Sequence, residues 1–483
     1  MDSLIEMGII DAVKRYKNNE YSVVSLTEEY IKQIKKYKNK NAILEIFDDA
    51  ISNAKKIDDK RKLGLTLGKL AGTVFVIKDN MLYKGHIASC ASKFLEHFVA
   101  PYSATVIEKL LKEDAVIVAR ANMDEFAMGG SNENSAFGPC KNAYDDKCVS
   151  GGSSGGSAVS VALNMCSASL GTDTGGSVRQ PSSFNGVVGT KPTYGRLSRF
   201  GIVAFASSLD QVGPITKNVK DNAYLLNILA GNDKNDQTSL DNAVDDYLLN
   251  IDQDIKGMKI AYCKELLDLY KKSPYYLKFI KLVDFLKSKG AIVEEVNIPN
   301  IDLALPVYYI IAPAEATSNL TRFDGIKYTT RSKLSGDLND LYVNSRNEGF
   351  GDEVKRRIMI GNYVLSSGYY DAYYVKAKKI QNYIVGIFNK LFTKYDSMIM
   401  PVTYGEAFEL GAKSNDPVAM YLEDIFTVIA NISGIPAISV PYAKGDNNLP
   451  IGIQILSKKL NEKNIYQIAN WIEQNMGVSR YDK

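Results

Sequence analysis

The sequence predicts an α/β fold: one large domain with a mixed, largely buried β-sheet core flanked by helices. Three observations carry this. Short β-rich runs alternate with helical patterns over about 400 residues, the pattern of a layered α/β domain. No proline-rich or charge-rich linker, internal repeat or low-complexity segment divides the chain. The 483 residues, 45% hydrophobic and 23% charged, are enough to bury a sizeable core without disulfides or metals.

In chain order, residues 1–70 read as a helical segment packed on a main domain of residues 71–483. Ser25-x-x-Glu28 is a capping-box signal. Leu26, Tyr30, Ile34 and Tyr37 follow it as an amphipathic stripe. From Gly72 the texture changes, and strands are expected at Thr73–Ile77, Ala115–Ala119, Val187–Gly189 and Met258–Tyr262. Further strands are expected at Ala291–Val296, Met398–Met400, Ala437–Val440 and Ile451–Ile455. Between them, Ile380, Ile384, Ile387, Phe388 and Leu391 share one helix face. Glycines concentrate between Gly129 and Gly201, which marks a site region inside the domain rather than a linker.

Composition excludes several function classes. With 58 basic and 55 acidic side chains, the formal charge is only +3, which provides no footprint for gripping nucleic acid directly. The lysine run Lys32–Lys40 follows Glu28 and Glu29 and reads as a solvated helix face. The five cysteines show no C-x-x-C spacing, which argues against a zinc site and a disulfide framework. Cys140 and Cys148 are near enough to pair, but free thiols are expected in a reducing compartment. The N-terminus lacks a basic region followed by an apolar run, and no apolar stretch reaches the ~18–20 residues of a membrane span. The expectation is a cytoplasmic protein with no membrane partner.

The two histidines, His86 and His97, constrain the chemistry, because histidine is the usual general base near neutral pH. Gly151-Gly152-Ser153-Ser154-Gly155-Gly156-Ser157 is followed by Gly171-Thr172-Asp173-Thr174-Gly175-Gly176-Ser177-Val178-Arg179. Such loops let a ligand approach the main chain and can form anion-binding nests of N–H groups. No G-x-x-x-x-G-K-[ST] occurs, and no G-x-G-x-x-G occurs in this region, so phosphate and dinucleotide sites are disfavoured. Gly151–Gly155 matches the G-x-S-x-G nucleophile elbow, but the α/β-hydrolase order places histidine after the serine, and both histidines here precede Ser153. A triad of another order stays formally open. Lys78 ends the apolar run Val74–Ile77, where burial would push its pKa towards neutrality and make it a competent base. A strand-end lysine can equally snorkel to solvent, and the strand alone does not decide.

Taken together, Val76-Ile77-Lys78-Asp79, the Gly151–Ser157 stretch and the Gly171–Gln180 block resemble the amidase signature family in residues and in spacing. The resemblance runs from about residue 25 to 465 and implies that family's fold. It also implies a Ser–Ser–Lys triad: Ser177 as nucleophile, Ser153 as a bridging serine in a cis peptide, and Lys78 as base. The N–H groups of Thr174, Gly175, Gly176 and Ser177 would form the oxyanion hole, where one donor can be worth about 2.7–4 kcal/mol of barrier. Two departures touch the approach to the site: Ser150 stands where the family often has proline, and Cys140–Tyr144 where it usually has Asn-Pro-Trp.

Within the family, Met123–Ser131, Lys191–Gly201, Ala204–Gln211, Arg356–Gly361 and Ser366–Asp371 resemble the A subunits of tRNA-dependent amidotransferases. That branch implies a glutaminase. Free glutamine carries an α-ammonium and an α-carboxylate, so its pocket needs one acid and one base. The resemblance implies Arg357 for the carboxylate, Asp424 for the ammonium, and Met128, Gly129, Gly130 and Tyr308 lining the pocket. From the residues alone, Arg357 in Lys355-Arg356-Arg357 could be solvated, and Asp424 could be a helix-end acid. The branch also implies a heterotrimer with B and C subunits of the amidotransferase, with misacylated tRNA held mainly by the B subunit. This chain binds no metal or cofactor on that reading; ATP and Mg are expected in the partner. The alternatives are a stand-alone amidase for small amides, which has no use for an Arg357/Asp424 pair, and a catalytically silent scaffold.

Overall fold

The structure is a computed structural model that describes residues 4–334, 336–413 and 416–476. Eleven strands are described: β1 (Ile43–Ile46), β2 (Val74–Lys78), β3 (Val116–Ala121), β4 (Ala168–Asp173), β5 (Val188–Lys191), β6 (Gln211–Thr216), β7 (Lys259–Cys263), β8 (Ile292–Val296), β9 (Ser397–Pro401), β10 (Ala437–Lys444) and β11 (Pro450–Leu456). They form one mixed sheet in the order β1-β3-β2-β4-β6-β5-β10-β11-β9-β7-β8. β3, β2 and β4 run parallel, as do β9, β7 and β8, while the strands from β4 to β9 pair antiparallel.

All eight strands expected from hydrophobic runs are present, with ends within four residues of those expected. Of the three others, β4 and β6 lack such a run. β4 reads Ala-Ser-Leu-Gly-Thr-Asp, and β6 carries Gly213 and Pro214, residues that ordinarily break a strand. The β5–β6 ladder stops at Ile215, one residue short of Pro214, so the missing proline N–H leaves that ladder intact. β1 corrects the expectation that residues 1–70 are helical: Ile43–Ile46 pairs with β3 at the sheet edge.

Strand parity positions the site. Side chains alternate faces along a strand. Phe75 and Ile77 join the larger apolar cluster, whereas Val74 and Val76 join a second cluster with Ala158, Val159 and Val161 of the helix Gly155–Ala162. Both sheet faces are thus covered. Lys78, two residues past Val76, is directed to the face carrying that helix, whose N-terminus is the Ser153–Ser154 loop. Parallel pairing of β2 with β4, Ile77 opposite Leu170, brings Lys78 level with the carboxyl end of β4.

Two local expectations are corrected. The helix Val23–Lys36 is capped by Ser22, whose hydroxyl accepts the Ser25 N–H at 3.0 Å, so Ser25 lies inside the helix rather than at its cap. Lys40 is not a solvated end of the lysine run: it is 6% exposed and donates to the Asn142 carbonyl at 2.8 Å while pairing with Asp146. All five cysteines are buried free thiols, Cys140 and Cys148 included. No described helix is long and apolar enough to cross a membrane. Among the described residues no group of His, Cys, Asp and Glu could hold a metal ion.

Candidate active site

Lys78 does not snorkel; it is fully buried. Its Nζ donates to Ser153 Oγ at 2.7 Å, Ser154 Oγ at 2.9 Å, Thr172 Oγ1 at 2.9 Å and the Thr172 carbonyl at 3.3 Å. Burial pushes its pKa down to about 7, although Asp124, Asp173 and Asp210 pull the other way. A lysine in this state is half neutral near pH 7 and can accept a proton. The Gly152–Ser153 peptide bond is cis. Ser153 is fully buried, whereas Ser177 is 7% exposed and lies at the open end of the group. The two loops are tied by the Ser154 N–H, which donates to the Ser177 carbonyl at 3.1 Å.

The loop carrying Ser177 is held from below by a buried ion pair. Arg179 and Asp173 are both fully buried and joined by two hydrogen bonds of 3.0 Å. Arg179 also donates to the Thr427 carbonyl and Gln454 Oε1, each at 2.9 Å, and to Asn431 Oδ1 at 2.7 Å. Burial alone would raise the Asp173 pKa, but the Arg179 guanidinium outweighs it and holds the carboxyl at about 2. Asp173 in turn accepts the Gly176 N–H at 2.9 Å. This corrects one of the four expected oxyanion-hole donors: the Gly176 N–H is already engaged by Asp173. Gly176 itself has φ +136°, and a Cβ there would lie 2.4 Å from Thr427 Oγ1, so no other residue fits.

Around this loop stands an acid–base pair. Arg357 is 3% exposed, not solvated, while its neighbour Arg356 is exposed. Arg357 Nε donates to Glu353 Oε1 at 2.8 Å, and its guanidinium lies about 5.5 Å from the rings of Phe205, Tyr309 and Tyr421. Asp424 Oδ2 accepts the Tyr309 hydroxyl at 2.6 Å. Burial raises the Asp424 carboxyl to about 7 against the pull of Tyr309 and Arg357. Tyr308 packs on the nucleophile loop so closely that a Cβ at Gly175 would meet its hydroxyl at 2.7 Å. Gly130 lies beside Asp424: its missing Cβ would point between Met420 Sδ at 3.7 Å and Asp424 Oδ1 and Gln180 Nε2, both at 3.8 Å.

Of the expected pocket residues, the structure therefore brings together Gly130, Tyr308, Arg357 and Asp424. It does not bring the other two side-chain positions. Met128 is fully buried in the larger apolar cluster, and the Cβ position of Gly129 is filled by the Asp124 carboxylate at 2.3 Å. The histidines stand apart from Lys78: His86 stacks on Tyr83 at 4.3 Å and contacts Asp49, and His97 is exposed. Sequence reasoning missed Ser154 and Thr172 on the lysine, the Asp173–Arg179 pair, Glu353, Tyr309 and Gln180. Glu353 carried a signal, an acid four residues before an arginine on a helix. The Ser154 hydroxyl, at the N-cap of the helix Gly155–Ala162, makes no cap bond there and accepts from the lysine instead.

A buried lysine on a serine hydroxyl, beside a second serine in a loop of backbone N–H groups, is machinery for attacking an amide or ester carbonyl. The chain belongs to the Amidase family, whose profile matches residues 25–466. Its similar relatives include the A subunit of the glutamyl-tRNA(Gln) amidotransferase of Halothermothrix orenii, 49% identical over 90% of this chain and 94% of that one. The same-named subunit of Bacillus cytotoxicus is 47% identical over 98% of both chains. Among solved structures, the crystal structure of that subunit from Thermotoga maritima superposes with a TM-score of 0.81, at 39% identity, covering 98% of this chain and 96% of that one.

Proposed function

We propose that this chain is the glutaminase subunit of a tRNA-dependent amidotransferase. The observation that supports it is the Lys78–Ser153 hydrogen bond, with Arg357 and Asp424 as a buried pair beside the same loops. The names of its relatives support the same reading. Neutral Lys78 takes a proton from Ser153, which takes one from Ser177. Ser177 Oγ then attacks the side-chain amide carbon of glutamine. The negative charge on the carbonyl oxygen falls to the N–H groups of Thr174, Gly175 and Ser177. Collapse returns the proton to the leaving nitrogen, releases ammonia and leaves a glutamyl ester on Ser177, which water hydrolyses to glutamate. Arg357 holds the α-carboxylate and Asp424 the α-ammonium. The ammonia is used in a partner, the B subunit, with ATP and Mg, to amidate glutamate on misacylated tRNA(Gln) or aspartate on tRNA(Asn). A small C subunit completes a cytoplasmic heterotrimer. The near-neutral charge of this chain suits a subunit that does not itself hold the tRNA.

The testing experiment is ammonia release by the chain, alone and co-purified with its partners, from glutamine and from simple aliphatic amides. A pocket with buried polar groups left unmatched by a simple amide is expected to prefer glutamine by roughly 10⁴-fold in kcat/KM. Comparable rates on both would instead establish a stand-alone amidase. A serine-reactive probe that fails to label Ser177 would leave only the silent scaffold.

Two further outcomes follow from the pocket. Gly130→Ala is expected to fold normally, because its methyl would meet only ordinary contacts of 3.7–3.8 Å. It nevertheless occupies the space beside Asp424, so KM for glutamine should rise at least about tenfold, the effect of a ~1.4 kcal/mol loss of binding. The pH profile follows from two groups near 7. Lys78 must be neutral and Asp424 ionised, so both fail as pH falls through about 7. Thus kcat/KM should drop on the acid side with the steepness of two protonations. The bound ammonium keeps Asp424 ionised in the complex, so kcat should show the lysine limb alone.

A further inference from the structure

We propose that Gln180 is a further specificity-determining residue: its side-chain Nε2 donates to the α-carboxylate of the bound glutamine. This rests on the glutaminase reading above. Gln180 is 1% exposed and lies one turn past Ser177, in the helix Arg179–Phe184. Its Oε1 accepts the Gly152 N–H at 2.9 Å. That bond fixes which end of the amide is which, because a backbone N–H needs an acceptor and the NH₂ group cannot supply one. The Nε2 end is therefore directed away from Gly152. It is buried and has no hydrogen-bond partner among the described residues. Buried donors are ordinarily paired, and one left without a partner calls for an explanation.

The position of Nε2 supplies one. It lies 3.8 Å from the point where a Cβ on Gly130 would stand, and Asp424 Oδ1 lies 3.8 Å from the same point. An amino acid placed there with its ammonium on Asp424 carries its carboxylate on the same Cα, within reach of the neighbouring donor. The side-chain amide must lie instead at Ser177 and the N–H groups of its loop. Arg357 has its Nε engaged by Glu353, so its charge is shared with that carboxylate and only its two NH₂ groups remain for the substrate. Gln180 adds a neutral donor fixed in direction by the Gly152 peptide. Through that peptide it also links substrate recognition to the loop that holds Ser153.

The test compares glutamine with glutaminamide, whose α-carboxylate is replaced by a neutral carboxamide. It is run at pH 8.5, where Asp424 is ionised, with product identified chromatographically. Gln180→Glu keeps the acceptor for Gly152 but sets a carboxylate oxygen where the donor was. KM for glutamine should rise by at least about tenfold, with kcat changed less than about threefold. KM for glutaminamide should stay the same or fall, because its NH₂ can donate to the new oxygen. Gln180→Met, which removes both polar ends at similar volume, should erase the preference for glutamine over glutaminamide. An unchanged KM for glutamine, or an equal rise for both substrates, overturns the proposal. Wild-type chain with partners that releases no ammonia from glutamine would instead overturn the glutaminase reading.

Discussion

Ser177→Ala is expected to lower kcat/KM for glutamine by roughly 10⁴-fold or more, the scale of removing a nucleophile from a triad that acts as a unit. The fold should be untouched. Ser177 ties the site together through its carbonyl, which accepts the Ser154 N–H at 3.1 Å, and alanine keeps that bond. An unfolding midpoint within about 2 °C of the parent is the control. Lys78→Ala should be as inactive, because no other base touches Ser153: among the described residues its hydroxyl is met by Lys78 Nζ at 2.7 Å. The double variant His86→Ala, His97→Ala should keep most of its activity, since His86 is stacked on Tyr83 and His97 is exposed. Substantial glutaminase activity in Ser177→Ala, or its loss in the double histidine variant, would falsify the lysine–serine mechanism.

The second large effect is on stability. Arg179→Ala should destabilise the chain by about 3–5 kcal/mol, the cost of leaving one member of a buried ion pair without its partner. The physical basis is specific. The substitution strands the fully buried Asp173 carboxylate, orphans Gln454 Oε1 and Asn431 Oδ1, and removes one of the donors to the Thr427 carbonyl. Arg179→Lys should recover only part of the loss, because an ammonium cannot place donors on four groups in the plane the guanidinium uses. Denaturant unfolding of both variants checks this. The pH dependence carries a sign. The folded Asp173 pKa, about 2, lies below the unfolded value near 3.9, so its stabilisation is complete above about pH 4 and lost as pH falls towards 2. The gap between parent and Arg179→Ala should narrow over that window. A gap that is small at neutral pH would show that the network does not hold the loop.

Much of this is legible in the chain itself. The eight strands built from apolar runs can be read because burial on both faces demands continuous hydrophobicity. β4 and β6 cannot, because their positions are filled by small and polar residues that pack tightly against the serine loops. A Cβ at Gly171 would lie 2.8 Å from Ser154 Oγ, and one at Gly213 would lie 2.2 Å from the Thr190 carbonyl. The expected triad and the pocket pair are both legible from family resemblance. Glu353, Tyr309 and Gln180 are not, because each acts on a residue distant in space or order from its own motif.

By itself, then, the sequence determined the layered α/β class and eight of its strands. These follow from periodicity and backbone chemistry, which are local properties of a chain. Tertiary structure alone decided that the Gly176 N–H is taken by Asp173 and that Arg357 is buried on Glu353. It also decided that Gln180 and Asp424 stand together beside Gly130. The reason is that a buried polar group must find its partner wherever packing brings one, and that choice is made between segments far apart in the chain.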